Sequence, residues 1–245
     1  MNPSLPLKDE TLDAFYHGRV LVLQKKKGYR FSVDAPLLAD FIETRAGDAV
    51  LELGTGCGII ALLLAAKPFR RLVALEIQPE LADLARRNVG LNRLEGRLEV
   101  VETDLRSFAP GERFDVVFAN PPYIKRRGGR LSLSRQRSIA RHEVACEISD
   151  VMAKTAELLA PDGRAYFIYP MRRAADFRKA AERNGLALRR LRPVRPRPDA
   201  PANLFLAACG AGAGAAEEMA PLVLVGPDGA YTAEAQAIFS GRLHA

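Results

Sequence analysis

Short apolar runs separated by helix-like patterns recur along most of the chain. Ala49 to Leu53 is an apolar run that ends at a glycine loop, and Ile59 to Ala66 opens a helix after it. Leu72 to Ile77 and Leu98 to Val101 repeat the strand pattern, with a helix that begins near Pro79 between them. Strands that alternate with helices predict a parallel sheet with helices on both of its faces.

The pattern continues toward the C-terminus and then changes. Further predicted elements are the strands Phe114 to Ala119 and Gly163 to Tyr169 and the helices Ser149 to Leu159 and Met171 to Arg183. The last two predicted strands, Leu186 to Leu191 and Asn203 to Cys209, are separated by only about eleven residues that include four prolines. Parallel neighbours need a longer, usually helical crossover, which this proline-rich segment cannot form. We therefore predict a Rossmann-like, doubly wound α/β sheet of about seven strands whose last strand is antiparallel.

The two ends of the chain lie outside this alternation. Val20 to Leu23 and Tyr29 to Ser32 flank a basic turn and predict a hairpin, and Pro36 to Ile42 predicts a short helix. Near the other end, a Gly/Ala-rich spacer precedes two short apolar runs, Leu222 to Val225 and Ala230 to Thr232, around a Gly-Pro-Asp-Gly turn. We predict an N-terminal hairpin and helix extension over 1–45, the Rossmann-like domain over 46–210, and a flexible spacer with a small C-terminal hairpin over 211–245.

Composition is that of an ordinary soluble globular protein. Of the 245 residues, 48% are hydrophobic and 27% are charged, and the longest purely apolar run is far shorter than the roughly 20 residues that span a bilayer. The N-terminus has no signal-peptide pattern, so we expect a cytoplasmic protein. Three cysteines without CxxC spacing and only three histidines indicate neither a disulfide framework nor a metal site.

Positive charge is concentrated in two stretches that contain no acidic residue. The net charge is +7; seven Lys and Arg residues lie between Asp115 and Glu143, and six Arg residues lie between Glu182 and Asp199. Blocks of one sign favour a polyanionic partner, because each phosphate that is neutralised releases condensed counterions. The residues that we predict to contact nucleic acid are Lys25, Lys26, Lys27, Arg126, Arg127 and Arg141.

A glycine loop, Leu53-Gly54-Thr55-Gly56-Cys57-Gly58, joins the first strand of the alternating pattern to its helix. Glycines let the backbone turn sharply and let a ligand approach closely. As a sequence motif alone, Gly56 to Ala61 also fits the GxGxxA pattern of dinucleotide-binding domains. Three carboxylates near the loop bear on which cofactor it binds. Glu52 precedes the loop, Glu76 ends the second strand, and Asp104 follows the third.

An acidic crevice suits S-adenosylmethionine better than a dinucleotide. Glu76 is placed to accept hydrogen bonds from ribose hydroxyls, and Asp104 to accept one from an adenine amino group. A pyrophosphate would be repelled by these acids, whereas S-adenosylmethionine carries a sulfonium cation and no phosphate. The cofactor-binding residues predicted from this reasoning are Glu52, Gly54, Thr55, Gly56, Gly58, Glu76, Asp104, Leu105 and Asn120.

The motif Asn120-Pro121-Pro122-Tyr123 directly follows the fourth strand. Its chance occurrence in a chain of this length is on the order of one in a thousand. An adenine amino nitrogen is a poor nucleophile, and Asn120 and the Pro121 carbonyl can each accept one of its hydrogens, which aims its lone pair. The prolines stiffen the loop, and Tyr123 offers a ring on which an unstacked base can stack. The four residues are therefore the predicted catalytic set, and an adenine in RNA is the predicted acceptor.

The glycine loop and the Asn-Pro-Pro-Tyr motif together are similar to class I amino-group methyltransferases. Three segments resemble, more specifically, the bacterial tRNA(Val) (adenine-37-N6)-methyltransferases. They are Gly28-Tyr-Arg-Phe-Ser-Val-Asp34, Arg141-His-Glu143 and Pro221 to Thr232. Arg197-Pro-Asp199-Ala-Pro201-Ala also resembles that family, and the resemblance covers nearly the whole chain. It implies that 46–210 is an S-adenosylmethionine-dependent methyltransferase domain that acts on tRNA. It also implies that Phe31, Ser32 and Asp34 close over the cofactor.

Other functions fit parts of the sequence. Asn-Pro-Pro-Tyr loops also serve enzymes that methylate a glutamine of release factors, but those enzymes resemble one another in a helical domain before the core, and only about 48 residues precede it here. Guanine-N2 methylation of ribosomal RNA, a nicotinamide-dependent oxidoreductase and a non-catalytic RNA-binding module are the remaining alternatives. His142 is a candidate base, although a lone histidine in a basic loop is more often a hydrogen-bonded surface residue.

Overall fold

The computed structural model describes residues 6–27, 33–121, 148–212 and 214–241. Its strands are β1 (Glu10–Phe15), β2 (Val20–Lys25), β3 (Ala49–Leu53), β4 (Arg71–Glu76), β5 (Leu98–Glu102), β6 (Phe114–Ala119), β7 (Leu159–Pro170), β8 (Leu186–Arg195), β9 (Leu204–Ala211), β10 (Glu217–Glu218) and β11 (Leu222–Val223). Its helices are α1 (Asp34–Phe41), α2 (Ile59–Leu64), α3 (Pro79–Leu91), α4 (Ile148–Leu158), α5 (Ala174–Arg183) and α6 (Ala233–Ser240), with 3₁₀ turns at Leu105–Ser107 and Met171–Arg173. Within these ranges, none of the helices is both long and apolar enough to cross a membrane.

One large sheet contains most of the strands, in the order β10-β8-β9-β7-β6-β3-β4-β5, with β11 also paired to β8. The neighbouring strands β5, β4, β3, β6 and β7 are parallel to one another, whereas β9 is antiparallel to both β7 and β8. The predicted Rossmann-like sheet of about seven strands, with its last strand antiparallel, is therefore confirmed. The short strands β10 and β11 extend the outer edge of β8.

The two faces of the sheet bury two separate apolar clusters. Along β6, Val116 and Phe118 belong to the cluster shared with α1, α2 and α3, whereas Val117 and Ala119 belong to the cluster shared with α4 and α5. This alternation follows from the two-residue period of a strand. In the second cluster, the ring of Phe177 packs edge-on against neighbouring aromatic rings. Because both faces are covered, the strands read in sequence as nearly continuous apolar runs.

The register of the parallel strands brings their carboxyl ends to one edge. Leu53 of β3 pairs with Leu75 of β4 and with Ala119 of β6, while Glu76 pairs with Glu102 of β5. The segments that follow these four strands are therefore neighbours, although they are far apart in sequence. Ligands of open α/β sheets bind at this edge.

The N-terminal hairpin is present, but its pairing differs from the prediction. β2 pairs with the preceding strand β1, with Glu10 opposite Lys25 and Phe15 opposite Val20. The returning strand predicted at Tyr29 to Ser32 lies outside the described residues. Of the predicted basic turn, Lys25 is the last residue of β2, and the turn that joins β1 to β2 lies between Phe15 and Val20.

The C-terminal segment joins the body of the protein. β11, which was expected to form one arm of a small hairpin, pairs with β8, and the hairpin itself is represented by a single antiparallel bridge between Val225 and Tyr231. The helix α6, which the sequence pattern did not predict, follows this bridge. The hydroxyl of Thr232 caps it by accepting a hydrogen bond from the N–H of Ala235 at 3.2 Å.

Candidate active site

The glycine loop after β3 turns back on itself through left-handed backbone conformations. Gly54, Gly56 and Gly58 have φ values of +78°, +61° and +87°, which glycine adopts without steric cost. The N–H groups of Gly54 and Thr55 donate to the carbonyl of Leu75 at 3.0 and 2.8 Å. These bonds fix the loop against the end of β4, so that its backbone faces the ligand edge of the sheet.

A cavity opens at this edge, with about 850 Å³ of empty space that is partly open to solvent. The lining residues are Leu53, Gly54, Gly56, Leu75, Glu76, Ile77, Gln78, Leu81, Thr103, Asp104, Leu105, Asn120, Pro121 and Val151. Among these described residues there are two carboxylates and no lysine or arginine, so the cavity favours a ligand that carries positive rather than negative charge.

Glu76 connects the cavity to the glycine loop. One of its carboxylate oxygens accepts a hydrogen bond from the N–H of Gly56 at 2.8 Å, and the other accepts one from the N–H of Gln78 at 2.9 Å. Burial raises the pKa of Glu76, although these backbone hydrogen bonds favour its ionised form. The N–H of Ile77 and the side chain of Gln78 also favour the ionised form, so a ligand hydroxyl would share this carboxylate with several donors.

Asp104 follows the end of β5, and its interaction with Arg106 favours the ionised carboxylate. Its carboxylate accepts hydrogen bonds from the backbone N–H of Arg106 at 2.9 Å and from the Arg106 guanidinium. These bonds lower the pKa of Asp104 below its usual value. Leu105, which follows, supplies an apolar wall of the cavity. Both residues were predicted from sequence to bind the cofactor, and the structure places both at the cavity.

Glu52, which precedes the loop, and the loop residues Thr55 and Gly58 are absent from the described lining of the cavity. The Glu52 side chain is 1% exposed and accepts a hydrogen bond from the Thr55 hydroxyl. Burial raises the pKa of Glu52 to about 8, so the carboxyl is largely protonated at neutral pH. A Cβ at Gly58 would lie 3.4 Å from the Cβ of Ala85, which shows how closely α2 approaches α3. These three residues support the loop, and a direct contact with the cofactor stays a prediction for them.

The residues that the family resemblance placed over the cofactor are not brought to the cavity by the described structure. Asp34 is the first residue of α1 and is absent from the described lining. Phe31 and Ser32 lie outside the described residues. The closure that the resemblance implies therefore stays a prediction.

Asn120 and Pro121 of the predicted catalytic motif line the same cavity as Glu76. Because Ala119 pairs with Leu53, the chain that leaves β6 lies beside the start of the glycine loop. Pro122, Tyr123 and the candidate base His142 lie outside the described residues. The structure thus unites the first half of the motif with the predicted cofactor site.

Several lining residues were not predicted. Ile77, Gln78 and Thr103 flank the predicted acids on the same strand ends, so their place could have been inferred from their neighbours. Leu81 and Val151 come from the helices α3 and α4, where apolar residues are usually part of the core. No local sequence signal distinguishes these two from ordinary packing residues.

Sequence reasoning also missed two asparagines on α3 that hold the N-terminal hairpin. Asn88 accepts from the N–H of Leu23 at 2.7 Å and donates to its carbonyl at 3.0 Å, and Asn92 bonds both groups of Leu21 in the same way at 2.9 and 2.7 Å. Asn88 also donates to the carbonyl of Cys57 in the glycine loop at 2.9 Å. Their spacing of four residues on one helix face was the available signal.

The basic residues that were predicted to contact nucleic acid differ in whether they already form ion pairs with acidic residues of the protein. Lys25 forms ion pairs with Asp9 at 3.1 Å and Glu10 at 3.2 Å. Lys26 donates to the carbonyl of Lys8, and Lys27 is exposed. The other predicted contacts with nucleic acid, Arg126, Arg127 and Arg141, lie outside the described residues.

The second acid-free stretch of the sequence is close to acids in space. Arg190 pairs with Glu43 at 2.8 Å and Arg192 pairs with Glu234 at 2.8 Å. Part of the charge that favoured a polyanionic partner is therefore balanced within the protein.

Comparison with known proteins agrees with this site. The methyltransferase small domain family matches the chain over residues 30–169, which is more than half of its length. The chain belongs to the methyltransferase small domain family. The matched region contains the glycine loop, both cavity carboxylates and the Asn-Pro-Pro-Tyr motif.

The methyltransferase is similar to proteins named tRNA1(Val) (adenine(37)-N6)-methyltransferase. It is 30% identical to that of Flavobacteriaceae bacterium (strain 3519-10), over 72% of this chain and 74% of the relative. It is 33% identical to that of Porphyromonas gingivalis (strain W83), over 69% of each chain. These matches show the family that the sequence resemblance indicated.

Solved structures share the fold at lower identity. A predicted O-methyltransferase from Agrobacterium tumefaciens matches with a TM-score of 0.67 at 23% identity, covering 85% of this chain and 96% of the other. The tRNA m1G37 methyltransferase of M. jannaschii matches with a TM-score of 0.56 at 15% identity, covering 84% of this chain and 58% of the other. The sequence-based predictions of the fold class, the family and methyltransferase activity are confirmed.

Proposed function

We propose that this methyltransferase transfers the methyl group of S-adenosylmethionine to the exocyclic N6 amine of adenosine 37 in a valine tRNA. The observation that carries the proposal is the position of Asn120 and Pro121 in the same cavity as Glu76 and Asp104. One half of this cavity has the character of a methyl-donor site, and the other half has acceptors for an amino group.

The residues of the cavity fit S-adenosylmethionine. Glu76 lines the cavity where it can accept from the ribose hydroxyls, and Asp104 accepts from the adenine amino group. Ile77 and Leu105 supply apolar surface for the adenine ring, and the described lining has no basic side chain that would hold a pyrophosphate. When bound, S-adenosylmethionine supplies an electrophilic methyl group on a positively charged sulfur.

Asn120 and Pro121 orient the acceptor nitrogen. The side-chain oxygen of Asn120 and the carbonyl of Pro121 each accept one hydrogen of the amine, which favours a pyramidal nitrogen and directs its lone pair into the cavity. This is catalysis by positioning, so a strong general base is unnecessary. A stacking contact between Tyr123 and the flipped base completes the proposed acceptor site.

Adenine in tRNA is favoured over the alternative acceptors by the names of the relatives. The methyltransferase covers 74% and 69% of two relatives that are named for adenosine 37 of tRNA1(Val).

Two measurements test the proposal in sequence. Calorimetry should detect binding of S-adenosylhomocysteine and no binding of NADH; the reverse result would indicate an oxidoreductase. Nucleoside mass spectrometry of tRNA incubated with enzyme and methyl donor should then detect N6-methyladenosine. N2-methylguanosine instead would change the acceptor to guanine, and methylated glutamine in a release factor would replace RNA with protein.

A further inference from the structure

Asn88 lies where the N-terminal hairpin, the helix α3 and the glycine loop meet. Its side chain is completely buried, and its amide makes three hydrogen bonds. The oxygen accepts from the N–H of Leu23, and the nitrogen uses its two hydrogens for the carbonyls of Leu23 and Cys57. The hydrogen-bonding capacity of the amide nitrogen is thereby filled by one partner from the hairpin and one from the loop.

The glycine loop is gripped at two consecutive residues. The N–H of Gly56 donates to Glu76, and the carbonyl of Cys57 accepts from Asn88. Glu76 approaches from the end of β4, whereas Asn88 approaches from α3. These two bonds orient the peptide groups around Gly56, which lines the cavity, so the loop's shape depends on both side chains.

The hairpin depends on the same helix. One edge of β2 pairs with β1, and at the other edge Asn88 and Asn92 occupy hydrogen-bonding positions that a further strand would use. Arg87 adds a two-pronged ion pair with the buried Glu10 of β1, at 2.8 and 2.9 Å. The hairpin is therefore rigidly docked on α3, and Asn88 extends this docking to the loop.

We propose that Asn88 is a positioning residue for methyl-donor binding, which couples the docked N-terminal hairpin to the glycine loop. The inference rests on the proposed function, because it assumes that the loop contacts the methyl donor. Asn88 acts through the Cys57 carbonyl and is not among the described residues that line the cavity. Loss of its donor hydrogens releases the loop on the α3 side and leaves the Cys57 carbonyl buried without that partner.

The chain contains a matched control for this residue. Asn92 holds β2 through the same pair of backbone bonds, and its further described bond is to the carbonyl of Asn88 rather than to the loop. Asn88→Asp and Asn92→Asp each keep the acceptor oxygen and remove the donor to the strand carbonyl. They differ in whether a bond to the glycine loop is lost.

Calorimetric titration of both variants with S-adenosylhomocysteine, below their melting temperatures, tests the inference. Asn88→Asp should weaken binding by about tenfold, as expected when the buried hydrogen bond to the loop is lost, and should raise the KM for the methyl donor while kcat changes by less than about threefold. Asn92→Asp should lower the melting temperature but change the affinity by less than about twofold. Equal affinity losses in the two variants, or none in a folded Asn88→Asp, would overturn the inference.

Hydrogen exchange of the wild-type protein tests the same coupling if Asn88→Asp fails to fold. The coupling between the loop and the hairpin is reciprocal. A ligand that orders the loop therefore also stabilises the contact between the hairpin and Asn88. Saturating S-adenosylhomocysteine should slow exchange of the Leu23 amide by about tenfold, and unchanged exchange there would refute the coupling. If the wild-type protein bound no S-adenosylhomocysteine at all, the proposed function would fail instead, and the two failures remain distinguishable.

Discussion

The carboxylate of Glu76 accepts a hydrogen bond of 2.8 Å from the backbone N–H of Gly56, across twenty residues of sequence. This bond joins the end of β4 to the glycine loop after β3, and both residues line the cavity that contains Asn120. The same carboxylate is thus a structural support of the loop and a proposed acceptor for ribose. Variants of Glu76 must be interpreted with both roles in mind.

Replacement of Asn120 separates chemistry from cofactor binding. Asn120→Ala removes the side-chain oxygen that is proposed to accept an amino hydrogen, so kcat should fall by about 100-fold or more, the loss expected when a precisely positioned group is removed. The affinity for S-adenosylhomocysteine should change by less than about threefold. Single-turnover methylation and calorimetry measure the two effects. Turnover close to that of the wild type would show that another group orients the amine.

Replacement of Glu76 has the opposite effect. Glu76→Gln should weaken S-adenosylhomocysteine by at least about tenfold, because an amide has one acceptor oxygen instead of two for the loop, Gln78 and the ribose. Glu102→Gln is the matched control, since this residue pairs with Glu76 in register but is ion-paired with Arg86 at the surface. Calorimetry on both variants should leave the control unchanged. Similar affinities of Glu76→Gln and Glu102→Gln for S-adenosylhomocysteine would show that Glu76 does not bind the ribose.

Glu52 should make the stability of the protein decrease as the pH rises. Its folded-state pKa of about 8 lies above the ordinary value of 4.5, so between these values the folded state holds a proton that the unfolded state has lost. The stabilising contribution is complete below about pH 4.5 and is lost as the pH rises through 8, with a slope of up to about 1.4 kcal/mol per pH unit. Glu52→Gln should therefore gain stability relative to the wild type between pH 5 and 8.

Urea denaturation at a series of pH values measures this difference. The exposed Glu99 of β5 supplies a control, because Glu99→Gln should follow the wild-type curve. Parallel curves for Glu52→Gln and the wild type would show that Glu52 is ionised in the folded protein. The loop would then contain a second buried charge beside Glu76.

Glu10 has the reverse pH dependence. Burial alone would raise the pKa of Glu10, but hydrogen bonds from Arg87, the N–H of Leu7 and Lys25 outweigh burial and lower it to about 2. Its contribution is therefore present above about pH 4.5 and disappears as the pH falls toward 2. Glu10→Gln should cost up to about 3 kcal/mol at pH 7 and much less at pH 3.

Asp9 provides the comparison for Glu10 in the same hairpin. It also pairs with Lys25, but its side chain is 68% exposed, so Asp9→Asn should cost less than about 1 kcal/mol at either pH. Denaturation curves at pH 7 and pH 3 would test both variants. A constant cost of Glu10→Gln over this range would mean that packing, rather than charge, accounts for its effect.

Much of the site was predictable because the ends of parallel strands meet. Glu76, Asp104 and Asn120 each follow or end an apolar run, and the geometry of a doubly wound sheet then places them at one edge without knowledge of any side-chain contact. The antiparallel β9 was predictable for a similar reason. A short proline-rich connection permits few arrangements.

The features that were missed depend on contacts between distant parts of the chain. The bond from Asn88 to Leu23 spans 65 residues, and the ion pair of Arg190 with Glu43 spans 147. Strand β1 was missed because its apolar residues Leu12 and Ala14 are exposed, whereas the one residue that it buries, Glu10, is charged. Local patterns identify elements, but they do not show which charges and amides become partners after folding.

The contribution of the basic residues to RNA binding can be tested by salt dependence. Each phosphate contact that is lost should reduce the slope of log K against log salt, by about 0.7 to 0.9 per contact. The double variant Arg126→Gln, Arg127→Gln should therefore weaken tRNA binding and flatten this slope. Arg190→Gln, Arg192→Gln is the control, because these side chains are paired with Glu43 and Glu234. Equal slopes for both double variants would place the RNA elsewhere.

The most direct test of the central claim is to locate the methyl group on the acceptor. Purified enzyme, S-adenosylmethionine and an unmodified valine tRNA would be incubated, and ribonuclease fragments of the product analysed by mass spectrometry. We predict one added methyl group in the fragment that contains adenosine 37, recovered as N6-methyladenosine, and none in a tRNA with guanosine at that position. Methylation of another nucleotide, or equal methylation of the guanosine variant, would contradict the account.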